Sequence, residues 1–173
     1  MDFDECIKTR RSVKTFTNKK IKDKDIYEIL DTIKYAPNSG NIQNWRLVLV
    51  KDPKKREKLK KASFNQEWIE QAPVAVVVCS DDQDVEKFYG KKSSKKFCIQ
   101  NCAAGIQNML LKAHSLGISS IWNAVSDEDK AKHALKIPEN INIHAIISFG
   151  YSIEEPDMPK RLEIDRILHE ESW

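Results

Sequence analysis

Two short stretches of the chain carry side chains in types and spacings that could bind a ligand. Arg10-Arg11-Ser12-Val13-Lys14 places three cations and a hydroxyl within five residues. Guanidinium forks grip phosphate oxygens in pairs and an ammonium adds a point charge, so this set suits a dianionic phosphate. An ordinary basic turn is the alternative. Asn38-Ser39-Gly40-Asn41-Ile42-Gln43 offers three amides and a hydroxyl with no net charge. Such a set matches the alternating donors and acceptors on the edge of a heteroaromatic ring. Taken alone, a turn whose polar side chains cap their own backbone explains it more simply.

The usual signatures of catalysis are missing. The chain has no GxGxxG, no GxxxxGK[ST], no GxSxG and no HExxH. His114, His133, His144 and His169 are dispersed and read as surface or packed residues. Cys6, Cys79, Cys98 and Cys102 form no CxxC pair. They read as reduced, buried thiols of a cytosolic protein.

The elements that must position the two clusters follow from periodicity and punctuation. Residues 2–9 read as a short helix and 10–16 as a connector. Residues 24–35 read as a helix, with Ile26, Ile29, Leu30 and Ile33 on one face, ending ahead of Pro37. A loop at 36–44 precedes a strand at 45–50. A lysine-rich helix runs from Asp52-Pro53 to about 62, and 64–71 is a short helix or loop. The continuous apolar run PVAVVVCS at 73–80 predicts a strand covered on both faces. Residues 81–96 carry no clear pattern. Residues 97–116 are apolar over more than half of a helix circumference, which points to the centre of a fold or to a subunit interface. Within it, Ala103, Ala104 and Gly105 would let another backbone come close, and Gly117 is a natural C-terminal cap. Strands at 118–122 and 144–150, a helix at 127–135 and a charged tail at 161–173 complete the chain. One α+β domain over residues 1–173 is expected, a central, mostly antiparallel sheet of four to five strands flanked by helices.

Composition agrees with this. The 173 residues suit one domain, and the longest apolar run is far short of the ~20 residues of a membrane span. The first residues carry no apolar signal-peptide stretch, so a cytoplasmic protein without membrane contact is expected. The net charge of +3 reflects 23 lysines and 6 arginines against 26 carboxylates. The runs KKREKLKK (54–61) and KKSSKK (91–96) contain no stacking aromatics. They read as solvated faces, and no nucleic-acid partner is expected.

Taken in order, RRSVKTF (10–16), APNSGNIQNWRLVLV (36–50), QNCAAGIQNMLLKAHSLGISSIWN (100–123), FGY (149–151), Arg161 and the closing ILHEESW resemble the FMN-dependent nitroreductase family. The match spans essentially the whole chain. The resemblance implies an α+β homodimer with exchanged tails and two FMN sites at the subunit interface. It implies that Arg10, Ser12 and Arg11 hold the phosphate or ribityl chain, that Arg161 returns to the phosphate, and that Lys14 approaches the N1/O2 edge of the flavin. Pro37, Asn38, Ser39, Asn41 and Gln43 of the partner subunit would meet the ring, and Trp122-Asn123-Ala124 would lie beside it. The implied activity is ping-pong hydride transfer from NADH or NADPH, through flavin N5, to a small-molecule acceptor such as a nitroaromatic, quinone or flavin.

The sequence departs from the family at two points. Asn38 stands where a serine is common. Asn44 stands where Gln-Pro-Trp has its proline, which is expected to loosen the loop before the strand. Residues 62–72 and 81–96 are the remaining candidates for a cover over the flavin. Two related readings stay open: a flavin-binding sensor or carrier, and a reduced-flavin enzyme carrying out dehalogenation or flavin fragmentation.

Overall fold

A computed structural model describes residues 1–154 and 156–173 of the chain. In order, its elements are α1 (Phe3–Thr9), α2 (Asp23–Asp31), β1 (Trp45–Val50), α3 (Pro53–Lys61), α4 (Trp68–Gln71), β2 (Val74–Asp81), α5 (Gln83–Tyr89), α6 (Lys91–Ser115), β3 (Ser119–Asn123), α7 (Glu128–Leu135) and β4 (Ile141–Gly150). Single 3-10 turns lie at Thr32–Tyr35, Ser39–Asn41 and Ile164–Arg166. Aspartates open three of the helices. Asp2, Asp52 and Asp127 each accept a hydrogen bond from the backbone N–H three residues on, at 2.8, 2.9 and 3.0 Å. α6 ends on a paired motif in which Gly117 N–H donates to His114 O and Ile118 N–H to Ala113 O. This requires the positive φ of +70° that Gly117 supplies.

The sheet has the order β1-β2-β4-β3, and every ladder is antiparallel. β2 is buried on both faces, as its apolar run predicts. Strand alternation divides it between two cores. Val74, Val76 and Val78 join Cys102, Ile106, Met109 and Ala113 of α6. Ala75, Val77 and Cys79 join Leu59 of α3, Ile69 of α4 and Ala131 of α7. The result is a layered α+β architecture with α2 and α6 on one face of the sheet and α3, α4 and α7 on the other.

Three expectations change. The helix expected over 24–35 ends at Asp31 and tightens into a 3-10 turn. There Thr32 Oγ1 donates back to Ile29 O at 2.6 Å and Asn108 Nδ2 donates to Thr32 O at 3.3 Å. The helix expected from 97 starts at Lys91, so the segment without a pattern is α5 followed by the first turns of α6. KKSSKK has no apolar periodicity, but Ser94 within it is buried and Tyr89 packs edge-to-face on Phe97, with centroids 5.0 Å apart. Gly105 does permit a close approach, but to this chain's own turn. A Cβ there would lie 2.4 Å from Ile33 Cγ1.

Among the described residues no helix is long and apolar enough to cross a membrane. The tail from 156 onward stays exposed, including Leu162, Ile164, Ile167, Leu168 and Trp173.

Candidate functional site

The basic cluster lies along the edge of the sheet. Ser12 forms a parallel bridge with Ser120 of β3, and Val13 N–H donates to Ser120 O at 3.1 Å. The extended backbone alternates its side chains. Val13 is buried with Phe16, Ala72 and Ile121. Ser12 and Lys14 are exposed, and Arg10 is half-buried. At ~3.3 Å per residue, Arg10 and Lys14 mark the ends of a strip roughly 13 Å long.

At the first end, Arg10 and Arg11 line a cleft of about 440 Å³ together with His114, Gly117, Ser119 and Ser120. Burial, then the like charges of Arg11 and Arg161, hold the Arg10 guanidinium below its ordinary pKa. Glu5 and Glu154 also line the cleft. Among the described residues, however, Arg10, Arg11, Lys14 and Arg161 form no ion pair. Three guanidiniums, none of them ion-paired, outnumber the two carboxylates of the cleft and make a site that favours an anion. Arg11 is partly committed elsewhere. Its Nη1 donates to Lys8 O at 2.7 Å and to Arg10 O at 2.9 Å, satisfying a carbonyl at the end of α1.

At the other end, Lys14 Nζ sits 5.0 Å from the ring centroid of Trp68. The indole N–H donates to Asn123 Oδ1 at 2.5 Å. Asn123 is buried, and its Nδ2 donates to Ile146 O at 2.9 Å and Ser148 Oγ at 3.0 Å. Its side chain therefore works inward, while Trp122 and Ala124 on either side are exposed. Ala124 O accepts from Ser63 Oγ, and Phe64 N–H donates to Ser126 Oγ at 3.0 Å. Segment 62–72 is thus stitched to the end of β3, with Ala62, Ser63, Ile69 and Ala72 fully buried. It forms a wall of the site. Both cover candidates present exposed aromatics, Phe64 in 62–72 and Phe88 and Tyr89 in 81–96.

The amide cluster divides into groups that build the loop and groups that stay exposed, Gln43 Nε2 donating to Asn41 Oδ1 at 3.4 Å among the latter. Asn38 Oδ1 accepts from Gln43 N–H at 2.9 Å, and its Nδ2 donates to Ala36 O at 3.3 Å. Ser39 N–H and Oγ donate to Asn101 Oδ1 at 3.0 and 3.2 Å. Asn101 Nδ2 in turn reaches buried Asn44 Oδ1 at 2.9 Å. Asn44 therefore ties the loop to α6 through a side-chain bond at the position where the family commonly has a proline. Asn41 and Gln43 hold positive φ of +53° and +52°. Their side chains are exposed, as is Pro37. They are the groups of this loop left to meet a ligand.

Within one chain the two clusters do not meet. The amide loop is tied to α6 at Asn101, and the basic cleft lies against α6 near His114. At 1.5 Å per residue these points are roughly 20 Å apart.

Burial pushes the thiols of Cys79, Cys98 and Cys102 each up to about 12, so they stay protonated. Among the described residues no His/Cys/Asp/Glu group could hold a metal. Of the α3 lysines, Lys54, Lys55, Lys58 and Lys61 are exposed, and Lys60 is paired with Glu67 and Glu70 at 3.1 and 2.6 Å. Arg56 is the exception within that run. It is buried and donates to Glu70 O at 3.3 Å and to Lys51 O. Sequence reasoning missed Trp68 and Asn101. An amide amid the apolar residues of 97–116 was a usable signal for Asn101; nothing in FNQEWIEQ singled out Trp68.

Comparison with known proteins matches the sequence profile of the nitroreductase family to residues 7–66 and 60–151. A protein of Archaeoglobus fulgidus bearing the name NADH dehydrogenase/NAD(P)H nitroreductase is 34% identical, over 98% of this chain and 99% of its own length. An FMN reductase (NADPH) of Bacillus subtilis is 25% identical, over 98% of this chain and 73% of its own. The crystal structure of a nitroreductase family protein from Streptococcus pneumoniae superposes with a TM-score of 0.88 at 22% identity, covering 98% of this chain and 100% of that one. With the profile spread across most of its length and a relative 34% identical over nearly the whole of both chains, this chain belongs to the nitroreductase family.

Proposed function

We propose that the chain, as a single unit over residues 1–173, is an FMN-dependent NAD(P)H oxidoreductase that works as a homodimer. The observation that carries this reading is the unpaired cluster of Arg10, Arg11 and Arg161 at one end of the strip that ends in Lys14. A phosphate at the guanidinium end and a ring at the lysine end would match FMN in charge and in reach. The half-buried Arg10 would gain the counter-charge it lacks, and Ser12 would face the ribityl chain. Lys14 would set a positive charge at the ring edge, which favours the anionic reduced form. Bound FMN supplies the hydride chemistry between NADH or NADPH and an acceptor such as a nitroaromatic, a quinone or a flavin. The chain's own work is to hold, orient and tune it.

The roughly 20 Å between the two clusters supports the dimer. The exposed Pro37, Asn41 and Gln43 of one copy could meet a ring held by the other. The exposed apolar side chains of the tail give a second copy a surface to cover. The names of the relatives agree with this chemistry, and an FMN reductase is among them.

The test is the visible spectrum of the purified protein, followed by anaerobic addition of NADH and of NADPH. A yellow protein that bleaches with either donor supports the proposal. A protein that stays colourless after incubation with FMN overturns it.

A further inference from the structure

Lys14 has a free-standing ammonium on an exposed, four-carbon stem, and such a group gains little definition by itself. Its neighbour supplies it. The Trp68 ring lies under Nζ at 5.0 Å, within the range of a cation–π contact. The indole itself is held from behind. Its N–H is bonded to Asn123 Oδ1, and Asn123 is fixed because its Nδ2 is committed to Ile146 O and Ser148 Oγ of β4. The indole also packs against the cluster of Val13, Phe16, Ala72 and Ile121, so the ring that carries the cation is braced by the core.

We infer that Trp68 is a positioning residue that sets the reduction potential of the flavin by holding the Lys14 ammonium in place. The inference rests on the reading that Lys14 meets the ring edge of FMN. A tethered cation strengthens the preference for reduced over oxidised FMN more than a mobile one does, because no side-chain order has to be gained as negative charge develops. Trp68 acts only through Lys14 and itself exchanges no proton or electron.

The experiment measures the FMN midpoint potential of the wild type, Lys14→Ala, Trp68→Leu, Trp68→Phe and the Lys14→Ala/Trp68→Leu pair. Lys14→Ala is expected to reduce the preference for reduced FMN about tenfold, a drop of about 30 mV for a two-electron couple. Trp68→Leu should lower the potential in the same direction by a lesser amount. Trp68→Phe, which keeps a π face, should recover part of it. In the Lys14→Ala background Trp68→Leu should change nothing.

A Trp68→Leu potential equal to wild type overturns the inference alone, as does an equal shift with and without Lys14. A wild type that takes up no FMN, or a Lys14→Ala potential that does not move, overturns the ring-edge reading and this inference with it. Should Trp68→Leu fail to fold, fluorotryptophan incorporation keeps the shape and weakens the ring face, and carries the same comparison against Lys14→Ala. The contact is also readable in the apoprotein. The Lys14 Cε protons should show an upfield ring-current shift in NMR, and its absence in the wild type overturns the inference.

Discussion

Replacing Arg10 by Ala separates a ligand-binding cation from a structural one, because the two roles predict opposite signs. In the apoprotein Arg10 is half-buried beside Arg11 and Arg161 and has no carboxylate partner among the described residues. Its charge is therefore a cost to the fold. After allowance for solvent screening, its removal should leave stability unchanged or raise it by up to about 0.5 kcal/mol. With FMN the sign reverses. A hydrogen bond to a charged group contributes about 1.5–3 kcal/mol. Taking about 2 kcal/mol for a half-buried site, FMN should bind roughly 30-fold more weakly. The assay pairs a thermal melt of the apoprotein with fluorescence titration of FMN. An apoprotein that melts clearly lower, with FMN affinity within twofold of wild type, would refute the assignment and make Arg10 a structural residue.

Other perturbations test the frame around the site. Gly105→Ala places a methyl 2.4 Å from Ile33 Cγ1. Overpacking of about 1–3 kcal/mol should exceed the helix gain of about 0.5–1 kcal/mol, so unfolding in urea should come earlier. In an Ile33→Ala background the penalty should vanish, and an equal loss there would sink the argument. Asn101→Leu strands Ser39 N–H and Asn44, at a cost of about 1–3 kcal/mol each. Amide exchange at 38–43 should accelerate, and unaltered exchange would mean the loop is held by something else. Burial holds His144 below its ordinary 6.5 against the opposing pull of Asp82 and Glu128. The unfolded chain then takes the proton first as pH falls, so this group's contribution is present above about 6.5 and lost on acidification below it. His144→Gln should flatten the melting temperature between pH 7.5 and 5. A wild type that loses no more than the variant would dismiss the effect.

Much of the architecture was legible before any coordinates. The helix expected over 24–35 (found at Asp23–Asp31), the strand at 45–50, the doubly covered strand expected over 73–80 (found at Val74–Asp81) and the cap at Gly117 all follow from local pattern. Each such signal is a property of a few neighbouring residues: a period, a proline, a glycine. What local pattern could not carry was helicity without periodicity. Lys91–Lys96 is helical with Ser94 buried and with Tyr89 packed on Phe97 across its two ends, contacts no local pattern announces. Likewise Gly105 looked like a site for another backbone and proved to be the seat of Ile33, a partner 72 residues earlier in sequence.

The candidate site divides in the same way. Residue type alone showed that Arg10, Arg11, Ser12 and Lys14 could hold an anion and that the 38–43 loop could meet a ring edge, with a plain turn as the alternative for each. Only the fold decided which of these groups stay available. It spent Asn38 and Ser39 on the loop's own backbone and on Asn101, turned Arg11 partly toward α1, and left Asn41 and Gln43 exposed. It also drew in Arg161 from the far end of the chain and set Trp68 beneath Lys14. Chemical capacity belongs to the side chain and can be read from its name. Its direction, its partners and the charge around it are set by contacts between residues distant in sequence, and those exist only once the sheet and α6 have brought them together.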